Sequence, residues 1–371
     1  MTSPPPYDIL VTRVTEARYL REGRGDLPKP RVTQRQVAEE AGVSRTTVSL
    51  VINDVPDAHI TSQTRQRVRE AARRLDYYPN AAARRLVSGR TRTIALVWHR
   101  GPDETYRDAF LPGLLQGITR AARHYGYYVI FRPIEPGEID DSYVELARGR
   151  HSDGLILSGP RSDDTDLLDL HREGFPVVLH GQLPSTDIPS VDVDNVRGAM
   201  AATNHLLGLG HRRIGMVTNA PLTYISSRQR LEGYRQALEQ AGLPFDEDLV
   251  RYGNFDEESG YAAVEALLAL DLAPTALFVA SDMVAMGALR ALHDRGRQVP
   301  EEMAVVGFDD ITAARFIIPA LTTFHVPTFG LGWSAAELLV RIIEGDRPKN
   351  TVVQLDTKLM IRESCRASRV T

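Results

Sequence analysis

From Thr93 onward, seven short apolar runs recur: Ile94–Trp98, Val129–Phe131, Gly154–Leu157, Val177–Leu179, Ile214–Val217, Ala276–Val279 and Ala304–Phe308. Amphipathic helical stretches separate them. Strands alternating with helices in this way form parallel sheets covered by helices. The stretch is long for a single unit of that kind, so two α/β lobes with a cleft between them are predicted. Lobe 1 is expected over about 93–192 and 326–350, and lobe 2 over about 193–325 and 351–371.

Composition sets the outer limits. A chain of 371 residues has room for two or three domains at roughly 100–200 residues each. With 43% hydrophobic and 25% charged residues it belongs with soluble globular proteins. No apolar run approaches the ~20 residues needed to cross a bilayer, so no membrane partner is expected. The N-terminal stretch has no uninterrupted apolar segment of signal-peptide type, which predicts a cytoplasmic location. Cys365 is the only cysteine, which excludes an intrachain disulfide and a multi-cysteine metal cage. The ten histidines show no ligand spacing, and neither a metal nor a cofactor is expected. Residues 1–30, with Pro4-Pro5-Pro6 and Pro28-Lys29-Pro30, read as a flexible extension.

The net charge of −4 hides an asymmetry. Residues 31–92 hold twelve arginines against six acids, whereas the remainder from 93 is strongly acidic. A basic block on an acidic body suits a chain with one end that meets a polyanion. Within that block Thr33 and Gln36 form a T-x-x-Q capping box that starts a helix. Val37, Ala38 and Ala41 share a face, Gly42 ends the helix, and Ser44 caps a second helix that turns Val48 and Val51 inward. Two short helices joined at a glycine, with a small residue where they cross, make a helix-turn-helix over 31–77. A generic helical hairpin is the competing reading, against which stand the caps and the charge. In this motif the start of the second helix enters the major groove, here with Arg45, Thr46, Thr47 and Ser49. Arg45 can make a bidentate contact to guanine.

A third helix is expected from Thr61 or Ser62 to Leu75, burying Val68, Ala71 or Ala72, and Leu75. Residues 78–92 read as a hinge. Pro79 blocks helix continuation, Asn80 can cap, and a Ser-Gly pair ends the run. Leu86, at the end of this short Arg-rich helix, is suited to wedging between base steps in a minor groove. An ordinary linker with a buried leucine is the alternative.

At these residues the chain resembles the LacI/GalR family of transcriptional repressors. The resemblance rests on V-A-E-E-A-G-V-S-R-T-T-V-S at 37–49, Asn53, and the Tyr78-to-Leu86 hinge pattern. It continues through Ser190–Asn195, Gly210–Gly215, Arg230–Tyr234, Ser281–Met283, Val306–Asp310, Pro319–Thr323 and Ile361–Ser364. It implies an all-α helix-turn-helix headpiece with a hinge helix, followed by a periplasmic-binding-protein-like α/β core of two parallel-sheet lobes. It further implies a homodimer on a pseudo-palindromic double-stranded operator, controlled by a small-molecule effector in the cleft. The DNA-contacting set is then Thr33, Arg45, Thr46, Thr47, Ser49, Leu50, Asn53, Asn80, Ala83 and Leu86. Leu50 stands where several relatives carry Arg, so the base read there should differ or be left to an apolar contact. The chain ends at Thr371 without a leucine heptad, so a dimer rather than a four-chain assembly is expected.

Open α/β lobes bind ligands beyond the carboxyl ends of their strands. Trp98, His99, Asp282, Asp309 and Asp310 follow such strand ends, and Arg230 lies in the helix after Ile214–Val217. The resemblance places Arg230, Asp282 and Asp309 at effector-contacting positions and Phe255 as an aromatic that stacks on the ligand. The segment Trp98–Phe110 departs from the family pattern; Phe110 and Tyr106 are candidate lining residues there. Helix capping is the alternative for Asp309 and Asp310, and core packing for Phe255. Aromatic faces with planar polar groups suit a sugar or a nucleobase; a carbohydrate effector is the expectation. No phosphate-binding loop, nucleophile elbow or metalloprotease motif is present, so an enzyme is not expected. A solute-binding protein for a carbohydrate transporter is the alternative function.

Overall fold

The computed structural model describes residues 32–53, 59–78, 89–134, 142–346, 348 and 351–365. They divide into two compact units, with the boundary between Gly89 and Arg90.

The first unit holds three helices: α1 (Gln34–Ala41), α2 (Arg45–Ile52) and α3 (Ser62–Arg74). The capping box is formed, with the Gln36 amide donating to Thr33 Oγ1 at 3.4 Å and the Thr33 amide to Gln36 Oε1 at 2.8 Å. Gly42 has φ 61°, in the left-handed region that glycine enters without strain, and this turns the chain into α2. Ser44 caps α2 by accepting from the Thr47 amide at 3.0 Å, and Thr61 caps α3. Each cap of this kind stabilises by about 1 kcal/mol. Val37, Ala38, Ala41, Val48, Val51, Val68, Ala71 and Ala72 form the core. Leu75, expected among them, packs half-buried at its margin.

The second unit is α/β. Its larger sheet is all parallel and uses β1 (Thr93–Trp98), β2 (Tyr128–Pro133), β3 (Gly154–Ser158), β4 (Val177–His180) and β5 (Ser190–Val193). The helices that accompany it are α4 (Pro102–Thr105), α5 (Leu111–His124), α6 (Ser142–Arg148) and α7 (Thr165–Arg172). The second lobe contains α8 (Asn195–Gly208), β6 (Ile214–Val217), α9 (Ile225–Gln240), β7 (Val250–Arg251), α10 (Glu257–Leu268), β8 (Ala276–Val279), α11 (Asp282–Asp294) and β9 (Ala304–Val306). Its parallel sheet runs β7-β6-β8-β9. The chain then passes through β10 (Thr323–His325), α12 (Thr328–Ile343), β11 (Val352–Leu355) and β12 (Lys358–Met360).

These last strands correct the expected lobe boundaries. Val352–Leu355 was expected in lobe 2, yet β11 pairs in parallel with β5 as the edge of the larger sheet, which runs β11-β5-β4-β3-β1-β2. Only after Leu355 does the chain return, where β12 pairs with β10. The reason is local: β11 alternates exposed and half-buried residues, as an edge strand does, so it does not stand out as an apolar run. Lobe 1 likewise extends through Val193 rather than stopping at 192, since all of β5 belongs to its sheet.

The hinge expected over 78–92 is also too long. Thr91 and Arg92 donate their amides to Asp153 at 2.7 and 2.8 Å, and Arg90 and Arg92 pair with Glu344. These three residues are tied to the α/β unit. Asn80, Ala83 and Leu86 lie outside the described residues.

Candidate functional site

In the helical unit the candidate DNA-reading residues gather at one helix. Arg45 and Thr46 are exposed at the start of α2, where Ser44 supplies the cap. Thr47, Ser49 and Leu50 are half-buried, and Asn53 at the end of α2 is exposed. Thr47 Oγ1 lies 2.9 Å from Ser44 Oγ, and Asn53 Nδ2 donates to Ser49 Oγ at 3.3 Å. Those hydroxyls are therefore positioned by their own helix, which leaves Arg45 and Thr46 projecting. Thr33 is exposed, but its hydroxyl serves the capping box.

In the α/β unit a cavity of about 110 Å³ opens between the lobes. One wall follows from strand register. Trp98, Ser158, His180 and Val191 are lateral neighbours near the carboxyl ends of β1, β3, β4 and β5. The side chains of Trp98, Ser158 and His180 line the cavity, as do Asp192 and Val193. Ser158 Oγ meets His180 Nδ1 at 2.8 Å, and the Phe110 ring sits 5.6 Å from the imidazole. Burial, with the Arg230 charge nearby, pushes His180 down to about 4, so it is neutral near pH 7. His99 also lines the cavity; its Nδ1 lies 3.2 Å from the Gly159 carbonyl, and burial lowers its pKa as well.

The facing wall comes from lobe 2. Arg230, deep in α9, donates from Nε to Asn195 Oδ1 at 2.9 Å and from Nη1 to the Ala280 carbonyl at 2.5 Å. Its Nη1 lies 3.8 Å from Asp309, and its guanidinium is 4.0 Å above the Phe308 ring. Asp192 accepts from the Val193 amide at 2.7 Å and from Asn195 Nδ2 at 3.0 Å. Burial outweighs these contacts and pushes Asp192 and Asp309 up to about 6 each. Arg230 is lowered by the same cause.

Phe255 lines the cavity with φ 63°, its amide donating to the Asn219 carbonyl at 2.7 Å. It meets Tyr224 edge-on at 5.1 Å. Tyr224 in turn donates its hydroxyl to the His99 carbonyl at 2.9 Å, joining the two lobes. The Ser162 amide adds a second crossing to the Thr223 carbonyl at 3.3 Å.

Of the expected effector residues, Trp98, His99, Phe110, Arg230, Phe255 and Asp309 line this cavity. Asp282 does not. It is fully buried beside the cavity, where it accepts from Thr323 Oγ1 at 2.6 Å and from the Ile311 amide at 3.0 Å. Its role is to hold the turn that follows β9, and burial together with neighbouring Asp309 raises its pKa strongly. Tyr106 is 80% exposed and is not among the lining residues. Neither Asp309 nor Asp310 caps a helix: the short helix Thr312–Arg315 starts at Ile311 without a side-chain cap.

Sequence reasoning missed Arg100, Asp108, His180, Asp192, Asn195 and Tyr224. His180 ends a recognised strand, and Asp192 and Asn195 fall within the motif Ser190–Asn195, so strand-end position was a usable signal for all three. Arg100, Asp108 and Tyr224 stand in loops or at a helix start, with no periodicity to mark them. Among the described residues there is no metal-binding cluster, and no helix is long and apolar enough to cross a membrane.

Comparison with known proteins agrees with both units. The description "Bacterial regulatory proteins, lacI family" matches residues 33–80, and "Periplasmic binding protein-like domain" matches residues 203–365. The chain is 39% identical over 339 residues to the HTH-type transcriptional regulator CelR of Thermobifida fusca, covering 90% of this chain and 98% of that protein. Two solved structures are similar over 90% of this chain. A transcriptional regulator CelR–cellobiose complex has a TM-score of 0.71 at 36% identity and is covered over 100% of its length. The lac repressor dimer bound to operator and the anti-inducer ONPF has a TM-score of 0.80 at 27% identity and is covered over 99%. A capped helix-turn-helix, two parallel-sheet lobes around a cavity and this similarity over nearly the whole chain lead to one conclusion: the protein belongs to the LacI family and is a DNA-binding transcriptional regulator.

Proposed function

We propose that this regulator is a cytoplasmic repressor that binds a pseudo-palindromic operator as a homodimer and is controlled by a carbohydrate held between its lobes. The observation that carries the effector reading is one cavity lined by both the polar set Arg230, Asn195, Asp192 and Asp309 and the aromatic residues Trp98, Phe110 and Phe255. Planar donors and carboxylate acceptors read hydroxyls, and aromatic faces cover the apolar faces of sugar rings. The relatives support this class. CelR was solved with cellobiose, and a LacI-family regulator from Enterococcus faecium with ribose. On the operator side, Arg45, Thr46 and Ser49 are assigned to base edges, Leu50 to an apolar contact at its base, and Thr33, Thr47 and Asn53 to supporting contacts; Asn80, Ala83 and Leu86 are assigned to the hinge. The basic helical unit argues against a transporter's solute-binding protein.

Control requires that the sugar bind the operator-bound and operator-free lobe arrangements with unequal affinity, since a ligand shifts an equilibrium only through differential affinity. The test is an operator selected from random duplexes by the full-length protein, then titrated with cellobiose, ribose and other neutral sugars. At least one sugar should change operator affinity by tenfold or more, equivalent to about 1.4 kcal/mol of coupling. Arg45→Ala should relax selectivity at one base position in each half-site, at a cost of about 1–3 kcal/mol. Indifference to every sugar would overturn the effector reading; indifference to every duplex would overturn the operator reading.

A further inference from the structure

We propose that Arg100 and Asp108 are effector-reading residues and that, with Arg230 and Asp309 across the cleft, they restrict it to an uncharged, polyhydroxylated ligand. This inference rests on the carbohydrate reading of the same cleft. Both residues belong to the Trp98–Phe110 lip, where the chain departs from the family pattern, and both line the cavity. Their side chains are 8% and 7% exposed and are bonded to each other. Asp108 is also held from behind, since its Oδ1 accepts the amides of Phe110 at 2.7 Å and Leu111 at 3.3 Å at the start of α5. The pair is thus fixed by backbone rather than free to swing.

Arg100 also spans the cleft. Its guanidinium lies 4.6 Å above the ring of Phe255 from lobe 2. Its Nε is buried without a hydrogen-bond partner, Glu104 Oε2 being 3.9 Å away and beyond reach. The indole Nε1 of Trp98 on the same lip is likewise buried and unpartnered. Buried donors left without acceptors are unfavourable, and a small shift of the lip around ligand oxygens would satisfy both.

The charge inventory sets the ligand class. The ionisable lining residues are Arg100 and Arg230 against Asp108, Asp192 and Asp309, with His99 and His180 neutral through burial. Each guanidinium already has a carboxylate neighbour, so the walls hold no spare cation for a phosphate or carboxylate. The carboxylates can only accept hydrogen bonds, which hydroxyl groups supply. Asp108 and Asp309, from opposite lobes, repel each other across the empty space, and Asp108 is one cause of the raised Asp309 pKa. Ligand hydroxyls between them would relieve that repulsion and favour closure.

The test is titration calorimetry of the full-length protein with cellobiose, glucose, cellobionate and glucose 6-phosphate. Asp108→Asn retains an oxygen for capping α5, Arg100→Lys retains charge without the planar fork, and Tyr106→Ser serves as the exposed control on the same lip. Melting without ligand confirms folding, and either lip variant suffices if the other unfolds. The wild type should bind a neutral sugar at least about 100-fold more tightly than either anion, and each lip variant should lose tenfold or more while the control does not. Tight anion binding, or lip variants that bind as the wild type does, would overturn the inference while leaving a sugar effector in place. Failure of the wild type to bind either neutral sugar would overturn the inference, and the carbohydrate reading falls with it only if operator binding is also indifferent to every sugar.

Discussion

Asp309 and Asp282 show how little separates a cavity residue from a scaffold residue. Both follow strand ends in lobe 2 and both are acidic, so position and chemistry alone do not distinguish them. The backbone does: Asp309, at φ 124°, lies beside Arg230 on the cavity wall, whereas the carboxylate of Asp282 is consumed by Thr323 and the Ile311 amide. The buried titratable groups also predict a pH dependence. Burial raises Asp192 to about 6 from an ordinary value near 4, so the folded state holds this proton more tightly than the unfolded chain. Its contribution to stability is therefore fully present below about pH 4 and is lost as pH rises through about 6. His180 acts in the opposite sense: its pKa falls to about 4, so its contribution is present above about 6.5 and lost as pH falls through 4. In thermal melts of ligand-free protein, Asp192→Asn should gain on the wild type by several degrees between about pH 4.5 and 6.5, and the difference should level off above that range. A pH-independent difference would mean that Asp192 keeps an ordinary pKa.

At the scale of elements, local signals worked where they were strong. The caps at Thr33, Ser44 and Thr61 and the glycine turn at Gly42 were legible because each depends on residues within a few positions. The seven apolar runs likewise marked seven strands, six of them buried and β2 half-buried. β5, β7 and β10–β12 did not stand out: β5 is buried but carries Ser190 and Asp192 among its four residues, and the others are two to four residues long and in part exposed or half-buried. Helix crossings were invisible for another reason: they depend on what lies opposite. A Cβ on Gly287 of α11 would sit 1.7 Å from the Glu257 carbonyl oxygen of α10, and one on Gly260 would sit 1.9 Å from the Val284 carbonyl oxygen. The two helices approach backbone to backbone, with no flexible side chain to yield. Gly287→Ala should therefore destabilise the α/β unit by roughly 1–3 kcal/mol despite its better helix propensity. Denaturant unfolding would test this, and an unchanged or higher midpoint would contradict the close crossing.

For the whole molecule, the charge asymmetry separates two kinds of recognition by their response to salt. The basic block of residues 31–92 is proposed to meet a polyanion, whereas the cleft is proposed to take an uncharged ligand. Operator affinity should fall by roughly 10³-fold between about 50 and 200 mM salt. Sugar affinity should change by no more than about twofold over the same range, because buried pairs are weakly screened. Fluorescence anisotropy on the operator and calorimetry on the sugar, in matched buffers, would measure both, and parallel slopes would refute the division of labour.

The order of units, the helix-turn-helix with its caps, the parallel-sheet class and most strand ends were determined by the sequence on its own, because capping, periodicity and charge act between near neighbours. Tertiary structure alone decided that Val352–Leu355 joins the lobe 1 sheet, that Asp282 supports the cavity rather than lining it, and that Arg100 and Asp108 reach it. Those outcomes depend on contacts between residues distant in the chain, and no local pattern records which side chain a distant backbone will meet.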